Sequence, residues 1–457
     1  MPEKHNTERR KRYTKAVEQL GNEKAPVRMG GVYTLVSLVD EWLREENIEY
    51  NERIAEGQII INKLCAYICS PFALASHYNE LTQESPTAEG LYKNREQDFY
   101  IDKAEFKSEA DIRLSIIKEI HSRLQSPKIN TPGAWSDFEY DFSGSTFFYP
   151  IDLTNSYYTK PVNFSGSTYQ GDADFESSTY QSRADFSDST YRCWADFRSS
   201  TYQSEANFSG STYQDGATFN GSTYTGWANF NCSTYQEGAY FNSSTYQSEV
   251  YFNSSIYWEG TYFNSSTYTG WADFNYSTYQ SEVYFNDSTY QGKADFSDST
   301  YKSWAYFSDS TYENETNFSG SIFYQETYFG EDGYSNSSSC FTNHAPQFYD
   351  KKKRKNTLFG SPNNDFTVDI DKGYPIDLDS KGIPLNCKFL TSEQKEYLEG
   401  KLQEIEKINN KLFEVKDLAK KTELSEKLRS LNEELYEWRE EVTTVKMEDV
   451  AAEDTKS

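Results

Sequence analysis

Four histidines (His5, His77, His121, His344) and six cysteines (Cys65, Cys69, Cys193, Cys232, Cys340, Cys387) are the residues of this 457-residue chain best suited to metal binding or nucleophilic chemistry. Their spacing serves neither. No His stands beside a Cys, no CxxC pair occurs, and Cys65 and Cys69 are one helical turn apart, so no zinc ligand set is predicted. Six scattered cysteines are too few for a disulfide scaffold and are read as reduced thiols, in keeping with a cytoplasmic location. A glycine-rich phosphate loop, a nucleophile elbow and a kinase signature are all missing. Carboxylates are plentiful: Ser136 to Gly330 carries 24 Asp/Glu against 6 Lys/Arg, within a formal charge of −26 for the whole chain. General acid–base catalysis needs environments that push two pKa values apart, and a regular exposed array does not supply them. The sequence predicts no catalytic residue, no cofactor and no metal site. Its acidity also disfavours nucleic acid and anionic membrane as partners.

The elements that carry these residues are set by an aromatic repeat. From Phe142 an aromatic recurs with spacing alternating between five and six, through Phe164, Tyr169, Phe175, Tyr180, Phe186, Tyr191, Phe197, Tyr202, Phe208, Tyr213, Phe219 and Tyr224, and on to Phe318 and Phe323. The period is eleven residues. Two positions before each Phe stands a small residue (Ala173, Ala184, Ala195, Ala206), and two before each Tyr stands Ser (Ser178, Ser189, Ser200). A small and a large residue two apart point the same way from a short strand, and the residue between them faces water. One such unit cannot bury its own face, so copies must stack into a solenoid with ladders of identical rings. Inward tyrosines need partners for their hydroxyls, and the Ser ladder is the expected one.

The repeat resembles the Phe-rich branch of the pentapeptide-repeat family over about residues 138 to 330. That resemblance implies a right-handed, four-sided parallel β-helix. With four sides a coil takes 22 residues and eight coils span roughly 38 Å, whereas flat two-sided coils of eleven would reach roughly 77 Å. Four sides are expected, because opposed Phe and Tyr would force two flat sheets beyond the roughly 10 Å that facing sheets prefer. Trp194, Trp227, Trp271 and Trp304 hold one repeat position and are possible surface contacts. They divide between two opposite columns in 22-residue coils and form one row in eleven-residue coils.

Before the repeat, residues 6 to 127 read as short helices. Asn6 or Thr7 caps the first. A second buries Val32, Leu35, Val36, Val39 and Trp42, with Gly30 and Gly31 allowing close approach; a third runs from about Asn51 to Ser70. Tyr78 to Phe106 reads as a loop, and a fourth helix starts at Ser108, capped with Asp111. The strings RYTKAVEQLG (Arg12 to Gly21), VRMGGVYTLVSLV (Val27 to Val39), LCAYI (Leu64 to Ile68) and ADIRLSIIKEI (Ala110 to Ile120) resemble the helical module preceding pentapeptide repeats in many actinobacterial proteins. The hairpins are also similar to HEAT-type repeats, which implies protein contacts. No stretch reaches the roughly 18 apolar residues of a membrane span, and no signal peptide is expected.

After the repeat, 331–389 reads as cap and linker, with Phe341, Phe348, Leu358 and Phe359 covering the last coil and the Lys351–Lys355 run solvated. Residues 390–443 read as helical, opened by a Thr391/Gln394 capping box. Leu424, Leu428, Leu431, Leu435, Trp438 and Val442 form a heptad seam, which suits either an intramolecular hairpin broken at Lys420–Thr422 or a homo-oligomeric coiled coil through 424–442. Residues 444–457 read as a disordered tail. The sequence thus predicts a non-catalytic scaffold with a rigid acidic solenoid, helical recruiting ends and an unidentified protein partner. Two other readings attach to the same surface. Some pentapeptide-repeat proteins mimic duplex DNA and bind topoisomerases, and outward Thr179, Thr190, Thr201 and Thr212 suit an ordered surface such as ice or a polysaccharide.

Overall fold

The structure is a computed structural model that describes residues 2–128, 130–331, 337–415 and 418–445. From 446 on, the predicted tail lies outside the described residues. The chain divides into two compact units, Met1–Asn229 and Phe230–Ser457. In each, helices accompany a four-sided parallel β-solenoid: they precede it in the first unit and follow it in the second.

In the first unit α1 (Pro2–Leu20) packs on α2 (Ala25–Leu43), and α2 on α3 (Tyr50–Cys69). Pro26 sits in the first turn of α2, where its missing N–H costs nothing. Of the paired glycines, Gly31 makes the close approach, since a Cβ there would stand 2.8 Å from the Ala16 carbonyl; Gly30 has open space. α1 begins at Pro2, ahead of the predicted Asn6 or Thr7 cap. The expected loop from Tyr78 to Phe106 is partly helical, with α4 (Tyr78–Leu81) and α5 (Glu96–Leu124). Ser108 and Asp111 therefore lie inside α5 and do not start it. Its first turn carries Glu96 and Asp98, matched to the helix dipole, and Phe99 and Phe106 bury its extra turns. No single described helix is long and apolar enough to cross a membrane; α3 with Ala73–Leu81 passes only as a pair bent by 46°.

Buried polar side chains fasten these helices to the first coil. Arg113 pairs with Glu109 at 2.8 Å and donates to the carbonyls of Ile68 and Ser70, while its guanidinium lies 5.5 Å from the Phe148 ring. Arg123 pairs with Asp40 at 2.9 Å and covers Trp135, whose Nε1 donates to the same carboxylate. Phe72 stacks on Phe148, and Phe106 meets the same ring at a tilt. The stack's opening layer is thus closed, as an exposed parallel edge requires.

One coil of the first unit has strands Ala184–Asp185, Thr190–Tyr191, Ala195–Asp196 and Thr201–Tyr202. Each pairs in parallel with the strand 22 residues away: Ala184 with Ala206, Tyr191 with Tyr169 and Tyr213, Ala195 with Ala173 and Ala217, Tyr202 with Tyr180 and Tyr224. This register establishes the 22-residue coil and excludes eleven-residue coils. Every eleventh residue takes a left-handed corner two positions after Phe: Gly166, Ser177, Asp188, Ser199, Gly210 and Gly221 all have φ between 54° and 68°. Short polar residues and glycine bear that conformation with least strain.

The second unit repeats the register, Ala272–Asp273 pairing with Ala294–Asp295, Thr278–Tyr279 with Thr300–Tyr301, Val283–Tyr284 with Ala305–Tyr306 and Thr289–Tyr290 with Thr311–Tyr312. Parallel pairing continues beyond residue 330: Cys340–Phe341 joins Thr311–Tyr312, Leu358–Phe359 joins Ile322–Phe323, and Lys388–Phe389 joins Leu358–Phe359. Phe348 and Phe359 stack on Phe318 and Phe323 and close this end. α6 (Ser392–Glu414) opens with the predicted capping box, and α7 (Leu418–Thr443) packs against it. The break falls at Val415, so Lys420–Thr422 lie within α7 and not at the turn. Leu398, Leu402, Ile405, Leu431 and Leu435 bury together against Ile322 and Leu358 on the side of the coils, with Leu424, Leu428, Trp438 and Val442 at the margin. Lys355 departs from the solvated run: it is buried between Asp298 (2.6 Å) and Glu440 (2.7 Å).

Candidate functional site

The twelve ladder residues from Phe164 to Tyr224 are all buried, at 0–1% exposure. Phe186 stacks on Phe208 at 5.1 Å, Tyr169 on Tyr191 at 4.5 Å, and Phe175 meets Phe186 edge to face at 5.1 Å. Rings in both offset and edge-to-face contact gain about 0.5–1.5 kcal/mol a pair beyond their burial. They fill the lumen.

The Ser ladder serves the backbone. Ser189 Oγ donates to the Phe164 carbonyl at 3.1 Å and accepts from Ser167 N–H at 3.2 Å, and Ser200 does the same for Phe175 and Ser178. The buried hydroxyls of Tyr180 and Tyr202 lie beside Ser178 and Ser200, the residues two before them, and these serines pull the phenol pKa down against the larger effect of burial. The expected Tyr–Ser neighbours are therefore present, while the Ser proton itself goes to the corner carbonyl. Burial holds the Tyr180 and Tyr202 phenols well above their ordinary pKa, and neighbouring tyrosines add to the rise.

The residue between Ala and Phe is less solvated than its polarity suggests. Asp185 Oδ1 accepts from Ser187 N–H at 3.1 Å, and Asn207 Oδ1 from Ser209 N–H at 3.2 Å. These Asx turns explain why Asp and Asn recur there. Asp196 and Asp273 are buried, and burial raises their pKa, that of Asp273 to about 7. The acidic array is therefore not uniform. The carboxylates of Asp174, Glu176 and Asp196 approach within 4.8 Å of one another, and Arg198 already pairs with Glu176 and Asp196 at 3.1 Å each.

The tryptophans follow the 22-residue coil. In the first unit Trp194 precedes Ala195 and Trp227 precedes Ala228, on opposite sides; in the second, Trp304 and Trp271 are divided in the same way. All four are about two-fifths exposed. Trp194 lies over Gly216, where a Cβ would come within 2.2 Å of the indole; Trp304 Nε1 donates to Glu326 at 2.7 Å. Trp271 lines a cleft of about 720 Å³ with Asp295, Asn317, His344 and Tyr374. His121 Nε2 lies 2.7 Å from the Thr154 carbonyl, and His77 Nδ1 lies 3.0 Å from Tyr92 Oη, so both have structural partners. All six cysteines are free thiols.

Sequence reasoning missed an outer stripe. Tyr240, Tyr262, Tyr284, Tyr306 and Tyr328 hold the outward position on one side of the second unit and stack at 4.8–5.1 Å. Tyr in place of Asp before Phe, at steps of 22, was the available signal. The first unit's helices also expose apolar side chains: Tyr33 of α2, Ile59 of α3, and Tyr100 and Ile101 of α5 are each about half exposed.

Together these features define the chain as a parallel β-solenoid repeat protein with Thr- and Ala-rich strands and flanking helices. Comparison with protein-family models, curated proteins and solved structures finds no match.

Proposed function

We propose that the protein is a non-catalytic scaffold of the Phe-rich pentapeptide-repeat type, in which the helical ends recruit protein partners and the coils space them rigidly. One observation carries this reading: the interior is packed with rings at 0–1% exposure, so recognition falls to the outside. The half-exposed Tyr33 and Ile59 on α2 and α3 supply the apolar surface that protein contacts use. The ordered-surface reading lacks a single Thr array, since Thr179 and Thr201 lie on one side and Thr190 and Thr212 on another; in the second unit Thr300 is buried next to α7. Topoisomerase mimicry draws on the acidic surface, much of which is committed to Asx turns and to pairs with Arg183, Arg198 and Lys293. Affinity capture from the native host with the full chain tests the proposal. Tyr33→Asp with Ile59→Asp should lose the captured partners, and Tyr262→Ser with Tyr284→Ser should keep them. Retention of every partner by the helical variant refutes recruitment through that end.

A further inference from the structure

Arg439 of α7 is 3% exposed against the coils of the second unit, yet among the described residues its guanidinium pairs with no carboxylate. Nη1 reaches Thr300 Oγ1 at a long 3.5 Å, and Nε has no partner. The nearest acids, Asp298 and Glu440, are both taken by Lys355 Nζ. A buried arginine is rarely left with unused donors, because each costs desolvation without return. Burial accordingly pulls its pKa down, against the pull of Asp298 and Glu440.

The surroundings are as unusual as the charge. Arg439 lies 5.7 Å from the Tyr276 ring and 5.3 Å from the Tyr436 ring, and the two rings are in tilted contact at 5.7 Å and 40°. Tyr276 occupies a left-handed corner with φ 55°, a position that elsewhere in the repeat holds Gly, Asn, Asp, Ser or Cys. An aromatic side chain there is an outlier, and strained outliers gather where a ligand is held. These residues line an open cleft of about 730 Å³ with Ser254, Ser255 and Thr278 on its floor and Leu428 and Leu435 along α7. That volume suits a small molecule.

We propose that this cleft binds a small organic monocarboxylate with a flat apolar body, its carboxylate on Arg439 and its body along the cleft wall over Tyr436 and Leu428. The rim narrows the choice of anion. Arg429 pairs with Glu433 at 3.0 Å, which leaves Glu437 as an acid at the mouth that repels phosphate-rich ligands.

Isothermal titration of the full chain with naphthoate, benzoate and inorganic phosphate tests the assignment. Saturable one-to-one binding of naphthoate, tighter than benzoate, with phosphate inert, is expected. Arg439→Gln should weaken naphthoate at least tenfold. Loss of Arg439 also risks loosening the hairpin, so Tyr276→Gly is the second variant: glycine suits the corner, unchanged circular dichroism checks that the fold is kept, and naphthoate should weaken at least tenfold. Absence of saturable binding up to about 10 mM, equal affinity in wild type and both variants, or a preference for phosphate overturns the proposal.

Discussion

Asp273 offers a direct measure of what the coil does to an outward carboxylate. It holds an Asx turn to Asn275 N–H at 3.1 Å, but it is 5% exposed and stands beside Asp295 of the next layer. Burial, with Asp295 adding, raises its pKa to about 7. The folded state thus keeps a proton that the unfolded chain releases near 3.9, so this contribution is fully present below pH 4 and is lost as pH rises through 7. Each pH unit between the two values removes about 1.4 kcal/mol, a ceiling of roughly 4 kcal/mol above pH 8, of which about 2 kcal/mol should survive local relaxation. Asp273→Asn keeps the acceptor for the turn and removes the titration; Asn already serves at the equivalent Asn207. The variant should match wild type at pH 4 and exceed it by about 2 kcal/mol at pH 8. Urea unfolding followed by circular dichroism at both pH values, with the slope m held as a check, provides the assay. A stability difference that is the same at pH 4 and pH 8 refutes the reasoning, because a neutral or fully solvated Asp273 would leave no pH dependence to remove.

Two further outcomes follow from the coil geometry. Ser199→Gly, at an exposed corner with φ 57°, should stabilise by about 0.5–1 kcal/mol and Ser199→Val should destabilise by more than that, read as urea midpoints. Gly216→Ala drives a methyl into the Trp194 indole and should cost about 1–3 kcal/mol; in a Trp194→Ala background most of that cost disappears, and an unchanged cost would show that the two do not touch.

The coil was legible because every ladder position repeats one residue type: Phe, Tyr, Ala and Ser declare which side chains point inward, and the width of a Phe–Tyr layer decides for four sides. Less legible were features that depend on what lies beyond one repeat. The start of α5 hid behind polar residues 96–107, since only Phe99 and Phe106 mark its buried face and they stand seven apart. The partner of the Ser hydroxyl is a carbonyl 25 residues earlier, a relation that no inspection of neighbouring residues displays. Lys355 sits in a basic run, so its pairing with Asp298 and Glu440 follows only from where the hairpin lands. The Tyr240–Tyr328 stripe was written in the sequence at steps of 22 and is invisible at steps of eleven.

That doubling of the period constrains how such a chain can change length. Loss of eleven residues leaves Phe over Phe and Tyr over Tyr, so the core tolerates it, but everything downstream turns through half a revolution. Eleven residues removed between Tyr284 and Tyr306 would send Tyr306 and Tyr328 to the far wall and cut the outer stripe in two. Insertions and deletions compatible with a decorated exterior therefore come in whole turns, and any half-turn event marks a lineage that has moved its surface to a new face.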